Sequence, residues 1–347
     1  MRVLGGQGDR VHAVRPEEHA DPVEAVLAAH RAGTRLSLAT SGTTGAVRRV
    51  LRSTQSWWGS FAAYSELSGV AAGARVWLPG PLTSTMVLFA AVHAAVVGAT
   101  RVDDPGEATH ACLTPAQLEM RGAELPRETW VAVAGAALSK RLTLRAAARG
   151  LTVSHYYGAA ELSFVAASAP RRNEGAGPVP AGLRPFAGVE IAIRDTPGPG
   201  SIWVRSPSVC DGYDGAPGPL RRDGEWATVG DVGRIRHGVL EVLGRPDAVT
   251  TAGATVLLAE VEAVLAGVAE GPFAVHGLPH AVFGEVLAVT CVDPADEPRL
   301  RAAARTLPAS HRPRIWRRAD TLPLTPAGKV DRAALASVLG TTLGGAR

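Results

Sequence analysis

Lysine is scarce in this chain: Lys140 and Lys329 stand alone among thirty-six basic side chains in 347 residues. The arginines are spread along the length, the formal charge is only +4, and no basic run marks a nucleic-acid binder. Cysteine is equally thin. Cys112, Cys210 and Cys291 are far apart, odd in number and without metal-type spacing, which excludes a disulfide framework and a zinc module. They read as buried or incidental thiols in a reducing compartment. Long apolar runs are missing too: the longest, 86–99, contains His93 and is too short to span a bilayer. The first residues turn polar at once and supply no signal-peptide core. The expectation is a cytoplasmic protein with no nucleic-acid partner and no membrane insertion.

What is present is ordinary for a soluble globular protein, with 46% hydrophobic and 20% charged residues. The length calls for two domains. Residues 22–32 and 56–67 read as helices, the second rich in aromatics, and 85–97 as another. Short apolar runs at 36–39, 75–78, 109–113, 130–134 and 151–155 read as strands between helices, the alternation of a largely parallel α/β layer. Trp57, Trp58 and Phe61 recur at near-helical spacing and read as core packing rather than as a substrate platform, the alternative for them. From about residue 177, valine-rich strands alternate with Pro/Gly turns, a β-rich portion. Arg245-Pro246-Asp247 looks like a boundary, and the last hundred residues form an α+β module. The fold class is therefore α/β, with a large N-terminal domain over 1–246 and a small C-terminal one over 247–347.

Two segments carry chemistry on their own terms. Thr40-Ser41-Gly42-Thr43-Thr44-Gly45 follows a strand and gathers hydroxyls and glycines in a tight turn, where backbone N–H groups can approach a phosphate. It lacks the Walker A frame, and a plain Ser/Thr/Gly surface turn remains open. Lys329, in Gly328-Lys329-Val330-Asp331, is a lysine kept where arginine has otherwise replaced it. An ammonium is a compact point charge on a flexible stem, whereas guanidinium is a wide fork; a narrow site would select the former.

Taken in order, five segments resemble the adenylate-forming superfamily of acyl-CoA synthetases, peptide-synthetase adenylation domains and luciferases. They are the 41–45 loop; Tyr157-Gly158-Ala159-Ala160-Glu161; Gly230-Asp231-Val232-Gly233; Gly244-Arg245-Pro246-Asp247 with Glu260-Val261-Glu262; and Gly328-Lys329. Further stretches, Thr109-His110-Ala111-Cys112-Leu113-Thr114-Pro115 and Gly253-Ala254-Thr255, resemble short bacterial acyl-CoA ligases of the o-succinylbenzoate–CoA ligase type. The resemblance implies ATP, Mg²⁺ and CoA as cofactors and a small carboxylic acid as substrate, activated as an acyl-adenylate and passed to CoA or to a carrier protein. It implies that Ser41, Gly42, Thr43, Thr44 and Gly45 cradle the β- and γ-phosphates, with Arg48 adding charge. Glu161 would hold Mg²⁺, a hard cation suited to carboxylate oxygen. Tyr157 and Gly158 would lie at the adenine, with Gly135, Ala136 and Ala137 lining that pocket. Asp231 would accept from the ribose and Arg245 would stand near ribose and phosphate. Lys329 would bridge carboxylate and α-phosphate, on a C-terminal domain that is mobile about Asp247. Gly253 would let a pantetheine arm pass.

Several positions depart from that pattern. Val47-Arg48-Arg49 replaces the usual Pro-Lys-Gly, and Ala160 replaces a threonine that normally donates to the α-phosphate. Ser84 and Val87 stand where the acyl pocket usually has an aromatic or histidine and a glycine. Only about forty residues precede the phosphate loop. Ala160 and Val47 leave open a nucleotide-binding homologue without turnover, and nothing in the Thr250–Thr255 loop decides between CoA and a carrier-protein thiol or amine as acceptor.

Overall fold

Parallel strands need crossover connections, and the helices between the apolar runs supply them. The structure, a computed structural model, describes residues 13–40, 48–170, 182–195, 199–244, 248–251, 254–280, 284–326 and 328–338. Its central sheet has seven strands in the order Arg184–Pro185, Ser163–Ala167, Thr152–Ala159, Trp130–Val133, His110–Leu113, Arg75–Trp77 and Thr100–Val102. The last five are parallel, and the hairpin return through 163–167 is antiparallel.

Successive side chains of a strand face opposite sides of its sheet, and the two faces of this one fill two cores. Trp77, Leu113, Val131 and Val133 pack against Leu118 and Ala146 of the helices Pro115–Arg121 and Lys140–Ala148. Val76, Cys112 and Tyr156 face the other way, onto helices Phe61–Ser68 and Thr85–Val96. The single helix expected over 56–67 is two, Gln55–Trp58 and Phe61–Ser68. Gly59 and Ser60 break it: glycine is a poor helix former, and the Ser60 amide tightens onto the Trp57 carbonyl at 2.8 Å. Trp57 and Phe61 are buried as expected, while Trp58 stacks on His30 at 3.7 Å between centroids.

A four-stranded sheet, Ala13–Val14, Arg35–Thr40, Arg48–Arg52 and Gly212–Tyr213, stands beside the first. Thr40 and Arg48 are cross-strand partners, so both ends of the expected phosphate loop are fixed. The β-rich portion forms a six-stranded antiparallel sheet around Gly200–Arg205. The last segment has its own sheet, built on Phe273–His280 and Gly284–Cys291, with Val261, Leu265, Val275, Leu287 and Leu300 as a separate core. All three cysteines are free and buried, and among the described residues no helix is long and apolar enough to cross a membrane.

Candidate active site

The antiparallel return from Thr152–Ala159 to Ser163–Ala167 is tight, and Glu161 sits in its turn. Gly158 is required there, because a Cβ would fall 2.2 Å from the Ser163 carbonyl oxygen. Glu161 therefore stands in a β-turn rather than at a helix N-terminus. It is 5% exposed, and Tyr213 Oη donates to its Oε1 at 2.8 Å. Its carbonyl accepts from the Cys210 amide at 2.8 Å. Burial and the neighbouring Glu161 charge push the Tyr213 hydroxyl up, so it stays a donor.

Under this turn lies Arg52, 1% exposed. It donates to the Ala160 carbonyl at 3.0 Å, to the Ser208 carbonyl at 2.6 Å and to Ser56 Oγ at 3.1 Å. Burial pushes its pKa down to about 10, against the opposing pull of Cys210, Asp211 and Glu161. It remains a cation at neutral pH. Sequence reasoning missed both Arg52 and Tyr213. One looked like another arginine of an arginine-rich chain, and the other lies 52 residues from the carboxylate it meets.

One strand position earlier, Tyr157 Oη donates to Asp231 Oδ2 at 2.7 Å, joining the central sheet to the six-stranded one. Asp231 is 8% exposed, and its carbonyl accepts from the Ile202 amide at 2.8 Å. The segment Gly135-Ala136-Ala137 leaves the C-terminal end of the strand Trp130–Val133, the end at which open parallel sheets bind ligands. His155, absent from the sequence-derived set, meets the Ala136 carbonyl through Nε2 at 3.2 Å, and burial lowers its pKa.

Lys329 reaches the same place from the far end of the chain. Leu324 and Val330 form an antiparallel bridge, and the Thr325 amide donates to the Lys329 carbonyl at 2.7 Å, turning the segment back on itself. Just beyond it, Arg332 ties this segment to the C-terminal module, pairing with Glu262 of the helix Leu258–Leu265 at 2.7 and 2.9 Å and donating to the Val275 carbonyl at 3.1 Å. Thr114 then clasps it: Oγ1 donates to the Gly328 carbonyl at 2.8 Å while accepting the Gln117 amide at 3.2 Å. Lys329 Cε passes 3.4 Å from where a Gly135 Cβ would stand. Tyr157, Glu161 and Gly135 are thus presented by the central sheet, and Asp231 and Lys329 by two segments folded onto it.

Other sequence-derived candidates, Ser41, Gly42, Thr43, Thr44, Gly45, Val47, Arg245, Asp247 and Gly253, lie outside the described residues. Arg48 is half-buried at the strand end next to the loop, and its carbonyl accepts from Thr40 Oγ1 at 3.3 Å. Ser84 precedes the helix Thr85–Val96, and Val87 is buried against the Gly80 turn. Among the described residues no group of three or more His, Cys, Asp or Glu could enclose a metal. A buried single carboxylate with one oxygen steadied by a phenol fits Mg²⁺, which binds through one or two carboxylates and takes its remaining ligands from phosphates and water.

The architecture and the site define an adenylating-enzyme fold. A family model described as AMP-binding enzyme matches residues 37–214, and the chain belongs to that family. It is 30% identical over 323 residues to the uncharacterized acyl–CoA ligase YhfT of Bacillus subtilis, covering 85% of this chain and 66% of that protein. It is also 30% identical to the probable 2-succinylbenzoate–CoA ligase of Mycobacterium tuberculosis, over 96% of this chain and 92% of that one. Among solved structures, the amide bond synthetase McbA from Marinactinospora thermotolerans superposes with a TM-score of 0.68 at 26% identity, over 87% of this chain and 68% of that one. The chain thus spans about two thirds of the length of two of these three.

Proposed function

We propose that the protein is an ATP-dependent carboxylate–CoA ligase, with an AMP- and acyl-binding domain over 1–246 and a mobile domain over 247–347. The observation that carries this reading is the clasp of Thr114 on Gly328, which sets Lys329 beside Gly135. A substrate carboxylate oxygen attacks the α-phosphorus of ATP, the bond to pyrophosphate breaks, and an acyl-adenylate forms. Such a step is governed by positioning and by charge stabilisation. The Lys329 ammonium lies between carboxylate and α-phosphate, and residues 41–45 with Arg48 hold the outer phosphates. Tyr157, Gly158 and the 135–137 segment hold adenine, and Asp231 and Arg245 the ribose side. Glu161 holds Mg²⁺, which when bound neutralises phosphate charge. Withdrawal of Lys329 then admits a thiol past Gly253; its sulfur attacks the acyl carbon and AMP leaves.

The likeness to both named acyl–CoA ligases supports CoA as acceptor. The likeness to an amide bond synthetase supports a second reading, transfer of the same acyl-adenylate to an amine; a carrier-protein thiol is a third acceptor. Pyrophosphate release across a panel of small carboxylic acids, with and without CoA, separates them. CoA-dependent thioester is the expected product. Adenylate that reacts only with amines or a carrier thiol would select the others, and no pyrophosphate from any acid would overturn the reading.

A further inference from the structure

A second junction joins the C-terminal module to the central one, and it stands on the same pair of helices that presents Thr114. Glu270 lies between the helix Leu258–Leu265 and the strand Phe273–His280. Arg141, on the helix Lys140–Ala148, approaches its carboxylate at 3.2 Å. One turn on, Arg145 donates to the Glu270 backbone carbonyl at 2.9 Å and pairs with Glu119 of the helix Pro115–Arg121. Thr114, the Gly328 clasp, caps that same helix. Residue 270 is not a loose loop tip. The Asp296 carboxylate, fully buried, accepts the Glu270 amide at 2.9 Å and the Gly271 amide at 2.6 Å. Arg299, in the same module, meets the Glu270 carboxylate at 2.5 Å. A rigid acidic point on one module thus faces two arginines on the other.

We propose that Glu270 is a positioning residue that latches the C-terminal module onto Arg141 and Arg145, holding the pose in which Lys329 reaches Gly135. The inference rests on the proposed role of Lys329. A latch that must open between two half-reactions has to be weak, and exposed ion pairs are weak and screened by salt. This junction has that character: both carboxylate and guanidinium remain partly open to solvent. It favours adenylation over the later step without locking the module in place.

The test uses the full-length protein. Glu270→Arg sets a fourth cation among Arg141, Arg145 and Arg299, and is expected to lower hydroxylamine-trapped adenylate about fivefold. Thioester formation from supplied acyl-adenylate should hold or rise. Adding Arg141→Glu should restore most of the loss, whereas Arg299→Ala, which breaks a contact inside one module, should leave the ratio of half-reactions unchanged. Spin labels at Met120→Cys and Val264→Cys, both exposed while the native cysteines are buried, give a readout independent of turnover. Glu270→Arg, or 0.5 M salt on the parent (roughly three times physiological strength), should broaden and lengthen the distance distribution. An equal fall in both half-reactions, or an unchanged distribution, overturns the proposal. Absence of ligase activity in the parent would refute the function while the distances still judged the latch.

Discussion

Thr114 Oγ1 donates to the carbonyl of Gly328, 214 residues away, at 2.8 Å. The same hydroxyl caps its own helix by accepting the Gln117 amide, and Gln117 returns the bond to the Thr114 amide at 2.9 Å. One side chain therefore both starts a helix and seats the lysine segment. Thr114→Ser keeps both bonds and is expected to retain adenylation. Thr114→Val loses both, costing about 1–2 kcal/mol of stability. It should also slow adenylation more than it slows thioester formation; thermal melts and separate half-reaction assays read the two effects.

Arg52 and Tyr213 prepare the turn that carries Glu161. Arg52→Met leaves the Ala160 and Ser208 carbonyls buried without their donor, at about 1–3 kcal/mol each. A clear drop in Tm is the expected outcome, with lost activity following the lost fold. Tyr213→Phe is milder, removing one hydroxyl from the Glu161 carboxylate. Because the same hydroxyl accepts the Leu220 amide at 3.0 Å, the substitution should lower stability by about 1–3 kcal/mol and raise the Mg²⁺ concentration needed for half-maximal pyrophosphate release. An unaltered Mg²⁺ dependence would deny the carboxylate its assigned role.

Ala160 offers a test in the opposite direction. Its methyl stands where the resemblance to adenylate-forming enzymes implies a threonine hydroxyl, so Ala160→Thr adds a donor beside Glu161. A charge-assisted hydrogen bond is worth roughly 1.5–3 kcal/mol, so adenylation should rise by about tenfold or more. No gain would mean that Ala160 does not face the α-phosphate.

His93 ties stability to pH. It is fully buried, joined to Ser65 through Nε2 at 2.8 Å, and burial pushes its pKa from 6.5 down to about 4. The unfolded chain takes up a proton below pH 6.5 that the folded chain refuses until about pH 4. Its contribution is therefore whole above pH 6.5 and fades as pH falls toward 4. Melts at pH 7 and pH 4.5 should show a smaller acid loss in His93→Met than in the parent. A residual slope is expected, because burial also lowers His110, His155 and His276.

Much of the parallel layer was legible because the runs at 75–78, 109–113 and 130–134 are each short, apolar and followed by a helix, whereas the polar edge strand Thr100–Val102 and the antiparallel return at Ser163–Ala167 were not. Lys329 stood out because lysine is so rare. Tyr157, Asp231 and Glu161 were legible as motif positions, but their partners were not. Tyr157 was expected only at adenine, yet its hydroxyl binds Asp231; a side-chain contact across 74 residues leaves no local pattern. Arg52 reads as a surface cation until three acceptors are found around it. Glu270 carries no local signal either, since its meaning comes from helix faces more than a hundred residues earlier. The break at Gly59-Ser60 was readable in principle, but the aromatic periodicity on either side ran through it.

The most direct measurement compares the two half-reactions in Lys329→Ala. Acyl-adenylate formation, read as pyrophosphate release or hydroxylamine trapping, should fall by about a hundredfold or more, while thioester formation from supplied acyl-adenylate survives. An equal fall in both, or no fall in either, would contradict the account.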